Sequence, residues 1–149
     1  MTPAPDPHDP IKALLDAASA KYMSSASEAL ALADEAVLAL AALGERGTPA
    51  QQARLLRTRG LALHYGGRHK EGLVELAMAL ATVPDADLAL RAIVLRALSI
   101  GAELLGAPDD AVAWATQALT AARAHGDPLL EADALLSLGI GYLSSPVRL

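Results

Sequence analysis

Leu56-Arg57-Thr58-Arg59-Gly60-Leu61-Ala62-Leu63 returns twice in altered form, as Leu95-Arg96-Ala97-Leu98-Ser99-Ile100-Gly101-Ala102 and as Leu135-Leu136-Ser137-Leu138-Gly139-Ile140-Gly141-Tyr142. Each copy sets a Leu four positions before a small residue. Those small residues, Gly60, Ser99 and Gly139, are 39 and 40 positions apart. A second pattern accompanies the first. Gly67 is followed five residues later by Gly72, and Gly106 is followed five residues later by Ala111. Ala29-Leu30, after the turn at Ser24, repeats this feature 43 residues before Gly72. Self-similarity at such a period marks an array of stacked supersecondary units. A small residue in mid-helix lets the partner helix approach closely, toward the lower end of the usual 8–10 Å spacing. One hairpin cannot bury its apolar face alone, so its neighbours must cover it.

Composition says what the units are made of. The chain of 149 residues carries 34 Ala and 28 Leu, against only 6 Val, 4 Ile and 6 Thr, with no Phe. Such a mixture favours helices and starves strands, so the expectation is an all-α protein. The hydrophobic content of 53% is enough to build a core and argues against disorder. Punctuation then divides the chain into seven helices. Asp9-Pro10 places a cap before a helix-starting Pro, and that helix fades at Tyr22-Met23-Ser24. Ser25 and Glu28 read as a capping box for the second helix, which stops at Gly44. Thr48-Pro49 with Gln51 is a second capping box, and its helix stops at Gly66-Gly67. A fourth helix runs from about His69 to Thr82, before Pro84. Asp85 or Asp87 caps the fifth, which ends at Gly106. Pro108-Asp109-Asp110 opens the sixth with acidic residues at the positive end of its dipole. Asp127-Pro128 opens the seventh, which reaches about Ser144.

The repeated segments resemble the tetratricopeptide repeat (TPR) family over about residues 10–145. The stretch from Tyr22 to Gly44 is similar to the opening repeat of the longer repeats found in bacterial signalling and regulatory proteins, where such regions precede diguanylate cyclase, histidine kinase or transcription-activator domains. The resemblance implies a right-handed α-solenoid of three antiparallel hairpins plus a terminal helix. Its expected boundaries are a flexible leader at 1–9, repeats at about 10–45, 48–84 and 86–126, a half repeat at 127–145, and a tail at 146–149. It also implies a non-catalytic protein-interaction module, the N-terminal regulatory part of a larger bacterial protein. A stand-alone adaptor and a helical enzyme are the alternatives. Two departures stand out. Arg59 occupies the position held by Leu98 and Leu138, so this repeat packs unusually or exposes that face. The chain also lacks Asn, which members that clamp a C-terminal carboxylate use beside Lys or Arg.

In this family the first helix of each pair lines the concave face. Carried over, the third helix contributes Arg54, Arg57, Leu61, His64 and Tyr65, which share one helical stripe. The fifth contributes Ile93, Arg96, Ile100 and Glu103, and the seventh Asp133, Leu136, Ile140 and Leu143. The resulting groove is basic in one part and apolar in another, and it suits an acidic or amphipathic protein segment. The competing interpretation makes the arginines an ordinary solvated face with weak local ion pairs. The seventh helix shows apolar residues on more than one face. The expectation is a fragment of a longer array whose exposed end pairs with a second copy through Leu129, Leu130, Leu136 and Leu143, with a tolerated cap as the alternative.

Other chemistry is unsupported by pattern. His64 and His69 are five residues apart, which is not a helical metal-ligand spacing, so neither a metal nor another cofactor is expected. Serine chemistry would need a nucleophile elbow that is absent, and Gly66-Gly67 lacks the Lys and Ser/Thr of a phosphate-binding loop. Asp109 and Asp110 are explained as helix-start residues, and Trp114 as packing between hairpins. Net charge is −5 with no Cys, which disfavours nucleic acid as a partner and excludes disulfides. The first ten residues have no apolar stretch, and no run approaches the roughly 20 residues of a membrane span. A soluble, cytoplasmic protein is expected. Arg outnumbers Lys by 9 to 3, the bias that a GC-rich bacterial genome produces.

Overall fold

In the computed structural model the described residues are 2–145; Met1 of the expected leader and the expected tail at 146–149 lie outside them. The described residues form seven α-helices and no strand: α1 (Asp9–Ser19), α2 (Ala26–Leu43), α3 (Pro49–Tyr65), α4 (His69–Thr82), α5 (Leu88–Leu104), α6 (Pro108–His125) and α7 (Pro128–Ser144), with a 3-10 turn at Gly44–Arg46 after α2. The protein is all-α.

Most of the expected helix ends are found, with two exceptions. The first is Asp9, which is the first residue of α1 rather than its cap; the cap position falls at His8 and has no side-chain hydrogen bond. Thr48 Oγ1 accepts from Gln51 N at 3.2 Å and Gln51 Oε1 accepts from Thr48 N at 3.0 Å, a complete capping box. Asp87, rather than Asp85, caps α5 by accepting from Leu90 N at 3.1 Å. Asp127 caps α7 by accepting from Leu129 N at 2.9 Å. Gly126 ends α6 in the left-handed region, at φ 84°. The second exception is Ser25, whose side chain makes no cap hydrogen bond. Glu28 is drawn instead to Lys21, at 2.8 Å. The first helix is also shorter than expected, ending at Ser19. Tyr22 leaves the helical path and packs against Tyr65, with ring centroids 5.3 Å apart.

Each helix contacts the next along the chain, from α1 to α7. The odd-numbered helices also touch in succession, α1 to α3, α3 to α5 and α5 to α7, whereas α2, α4 and α6 do not touch one another. The odd helices therefore form the closer row. The core falls into three clusters along the array. Ile11, Leu15, Ala36, Leu40 and Leu55 join α1, α2 and α3. Leu56, Ala79, Val83, Leu90 and Val94 join α3, α4 and α5. Leu61, Leu76, Leu95, Leu98, Leu119 and Ala134 extend it to α7, with Trp114 packed half-buried against them. Each fully buried Leu contributes about 1.5–3 kcal/mol relative to exposure.

Small residues set the helix spacing. A Cβ on Gly60 would lie 2.8 Å from Leu76 Cγ and 3.2 Å from the Gly72 carbonyl oxygen. The corresponding contact between α5 and α6 is polar: Ser99 Oγ donates to the Ala111 carbonyl at 2.9 Å. Gly139 departs from the pattern, with nothing within 4 Å of a Cβ built there. No described helix follows α7 to cover it. Arg59 is neither exposed idly nor buried alone. It bridges three helices, donating to Asp34 of α2 at 2.9 Å and to Glu75 of α4. Burial opposes its charge, but the two carboxylates more than offset this and raise its pKa.

Candidate functional site

The row of odd helices carries the groove residues, and it divides them into two cavities. The first, about 200 Å³, is bounded by Arg54 and Arg57 of α3, Ile93 and Arg96 of α5, and Leu130 and Asp133 of α7. The second, also about 200 Å³, is bounded by Tyr65, Ile100, Glu103, Ser137 and Ile140. Arg96 and Glu103 belong to the same helix, seven residues apart, so the cavities are separated by about 10 Å at 1.5 Å per residue. That distance matches about three residues of extended chain.

The arginines of the first cavity, Arg54, Arg57 and Arg96, have no ion-pair partner among the described residues. Nε of Arg57 and Nε of Arg96 are buried and meet no hydrogen-bond partner among the described residues. Burial pushes the Arg57 guanidinium below its ordinary value. Tyr22 opposes that push, while the neighbouring Arg96 and Arg54 charges add to it. Arg57 and Arg96 are also equivalent positions of successive repeats, 39 residues apart. A buried donor left unsatisfied costs about 1–3 kcal/mol, and more when charged. The same arrangement at both positions makes a deficit that an incoming acceptor would relieve. An ordinary solvated face, the competing expectation, would leave those Nε atoms in water.

Several expected groove residues lie elsewhere. Leu61 is fully buried in the core, because the close α3–α4 approach turns its face inward. His64 is 1% exposed. Its ring fills the space left by two glycines: a Cβ on Gly72 would lie 2.6 Å from His64 Cδ2, and one on Gly101 2.7 Å from His64 Nε2. His64 Nδ1 lies 3.1 Å from His69 Nδ1, and burial, with His69, lowers the His64 pKa. Leu136 is 59% exposed and bounds neither cavity. Of the apolar residues expected at a dimer contact, Leu129, Leu136 and Leu143 are exposed, whereas Leu130 packs half-buried against the core and bounds the arginine cavity. Tyr22 is the residue that sequence reasoning missed. Its stacking on Tyr65 extends the groove's aromatic wall from the α1–α2 turn, and its only sequence signal is its place where the first helix fades.

A larger cavity of about 650 Å³ lies between α2, α3 and α4. Its cation is Arg59, already engaged by Asp34 and Glu75, so no positive charge is left open there, whereas Glu75 Oε2 is buried with no hydrogen-bond partner among the described residues. A cavity of about 480 Å³ between α1 and α3 shares Arg54 and Arg57 and is flanked by Asp6, Asp9 and Asp16. Asp16 is paired with Lys12 at 2.8 Å. No helix among the described residues is long and apolar enough to cross a membrane, and no group of three or more His, Asp or Glu among them could hold a metal ion. Neither a protein-family model nor a curated protein matches the chain. What the groove offers chemically is recognition: guanidinium forks suited to an oxyanion beside an aromatic and apolar wall.

Proposed function

We propose that this chain is a non-catalytic, TPR-like interaction module that receives a partner protein segment along α3, α5 and α7. The observation that carries the reading is the pair of repeat-equivalent arginines, Arg57 and Arg96, each with a buried Nε lacking a partner among the described residues. They lie beside a second, largely apolar cavity about 10 Å along the same helix. A segment with an acidic group followed by an apolar one meets both. The closer packing of the odd helices supports placing them on the concave side of a right-handed solenoid. In a cytoplasmic bacterial signalling protein, occupancy of such a groove would alter an attached output domain, of the diguanylate cyclase kind. As a stand-alone adaptor the module would recruit its partner through the same face. The exposed Leu129, Leu136 and Leu143 recur every seven residues on α7, which favours a homodimer through that helix. Light scattering that finds a monomer at high concentration would count against the dimer.

The groove is tested by replacing Arg54, Arg57 and Arg96 together with Glu. Circular dichroism should report unchanged helicity, and pull-down from the source cells should lose the partner that the wild-type chain retains. Capture of the same partner by the folded triple variant contradicts the assignment.

A further inference from the structure

Resting on the groove reading above, we propose that the cavity between Arg54, Arg57 and Arg96 is a binding site for a phosphate group, presented by a phosphorylated partner segment or supplied as free phosphate. The argument begins with charge. Three guanidiniums and one carboxylate, Asp133, bound this cavity, which leaves two positive charges to be met. A phosphate monoester carries about −1.5 to −2 at neutral pH, whereas a carboxylate would meet only one. Geometry points the same way. Guanidinium donors form a planar fork that binds oxyanions in parallel pairs of hydrogen bonds. Phosphate offers three terminal oxygens, one for each arginine; a carboxylate has two.

The cavity is also built rather than incidental. Arg57 and Arg96 rise from the same position in successive repeats, and each holds a buried Nε with no partner among the described residues. Ile93 and Leu130 close its sides with apolar surface, which lowers the local dielectric and strengthens any ion pair formed there. Arg54 is exposed at the rim, where it can meet an anion before it enters. Arg59, the arginine of the cavity between α2, α3 and α4, is by contrast already bound by Asp34 and Glu75. Asp6, Asp9 and Asp16 line the neighbouring cavity, which shares Arg54 and Arg57, and none of the three lines this one.

The test uses the whole chain in low salt at pH 8, with inorganic phosphate and acetate as probes and calorimetry as the readout. Phosphate should bind saturably at one site per chain and at least tenfold more tightly than acetate. Arg57→Gln and Arg96→Gln should each weaken it at least tenfold. Arg123→Gln, which alters a surface pair with Glu131 between α6 and α7, should leave it unchanged. No saturable binding, equal affinity for acetate, or wild-type affinity in both arginine variants overturns the proposal. A phosphoserine peptide library bound more tightly than inorganic phosphate assigns the group to a partner segment; no gain over inorganic phosphate supports the site and assigns it to the free ion. Ile100→Asp separates this proposal from the groove itself. It should abolish partner capture while sparing phosphate binding. If phosphate fails to bind but Ile100→Asp still removes the partner, the groove stands and the phosphate site falls.

Discussion

The hairpins α3–α4 and α5–α6 place small residues at matching positions but close the gap differently. In α3–α4 the backbones come so close that Gly60 and Gly72 face each other, and the His64 ring fills what remains beside Gly72 and Gly101. In α5–α6 the matching residues are Ser99 and Ala111, joined by a side-chain hydrogen bond of 2.9 Å. The neighbouring position differs in parallel. Leu98 is buried in the core, whereas Arg59 reaches out to Asp34 and Glu75. The repeat thus preserves helix spacing and leaves its chemistry free to vary. Arg57 and Arg96 are the informative case, because there the chemistry is the same in both hairpins although packing does not require it.

The largest effect is expected at Gly72→Ala. Its Cβ would meet His64 at 2.6 Å and the Gly60 carbonyl oxygen at 2.9 Å. Backbone cannot rotate away, so the loss should reach about 3 kcal/mol, the upper end for overpacking. Gly60→Leu and Ala111→Leu should each cost about 1–3 kcal/mol by the same mechanism. Urea unfolding midpoints would show it, and unchanged midpoints for both Leu variants would contradict the equivalence of the two hairpins. Ser99→Ala should cost about 1 kcal/mol, the worth of one hydrogen bond, which places it below the glycine variants in the same experiment.

His64, packed between α3, α4 and α5, supplies a pH signature. Its folded pKa lies below the ordinary value, first because of burial and then because of His69. The unfolded chain therefore takes up the proton first as pH falls, and stability is lost below about 6.5. Between pH 7.5 and 5.5 the wild-type thermal midpoint should drop, and His64→Gln should flatten part of that drop. Identical slopes for the two proteins would show that His64 is not the titrating group. The smallest effect is expected at Gly139→Ala. Nothing lies near its Cβ, so helix propensity alone should stabilise the chain by about 0.5–1 kcal/mol. A loss there would mean that the third copy is packed like the first two.

The helices were legible because Gly, Pro and capping residues punctuate a sequence that is otherwise rich in helix formers. Gly60 and Ser99 were legible as close contacts because only small residues fit there. The orientation of groove residues was less so. A stripe drawn on α3 by spacing alone includes Leu61 and His64, yet α3 packs against α2, α4 and α5, so part of that stripe is turned inward. The unmet Ser25 capping box has a similar origin: Glu28 has a second partner, Lys21, that spacing within the box does not reveal. Tyr22 could not be placed because its partner, Tyr65, lies 43 residues away.

The central claim is that Arg57 and Arg96 are kept for binding at a cost to the fold. The thermal midpoint of the double variant Arg57→Leu/Arg96→Leu tests this without knowledge of the partner. Replacing two half-buried guanidiniums, whose Nε atoms are buried without a partner among the described residues, by apolar side chains should relieve their desolvation, so the midpoint should rise above wild type while partner capture is lost. A midpoint below wild type would show that the arginines support the fold, and it would contradict the account.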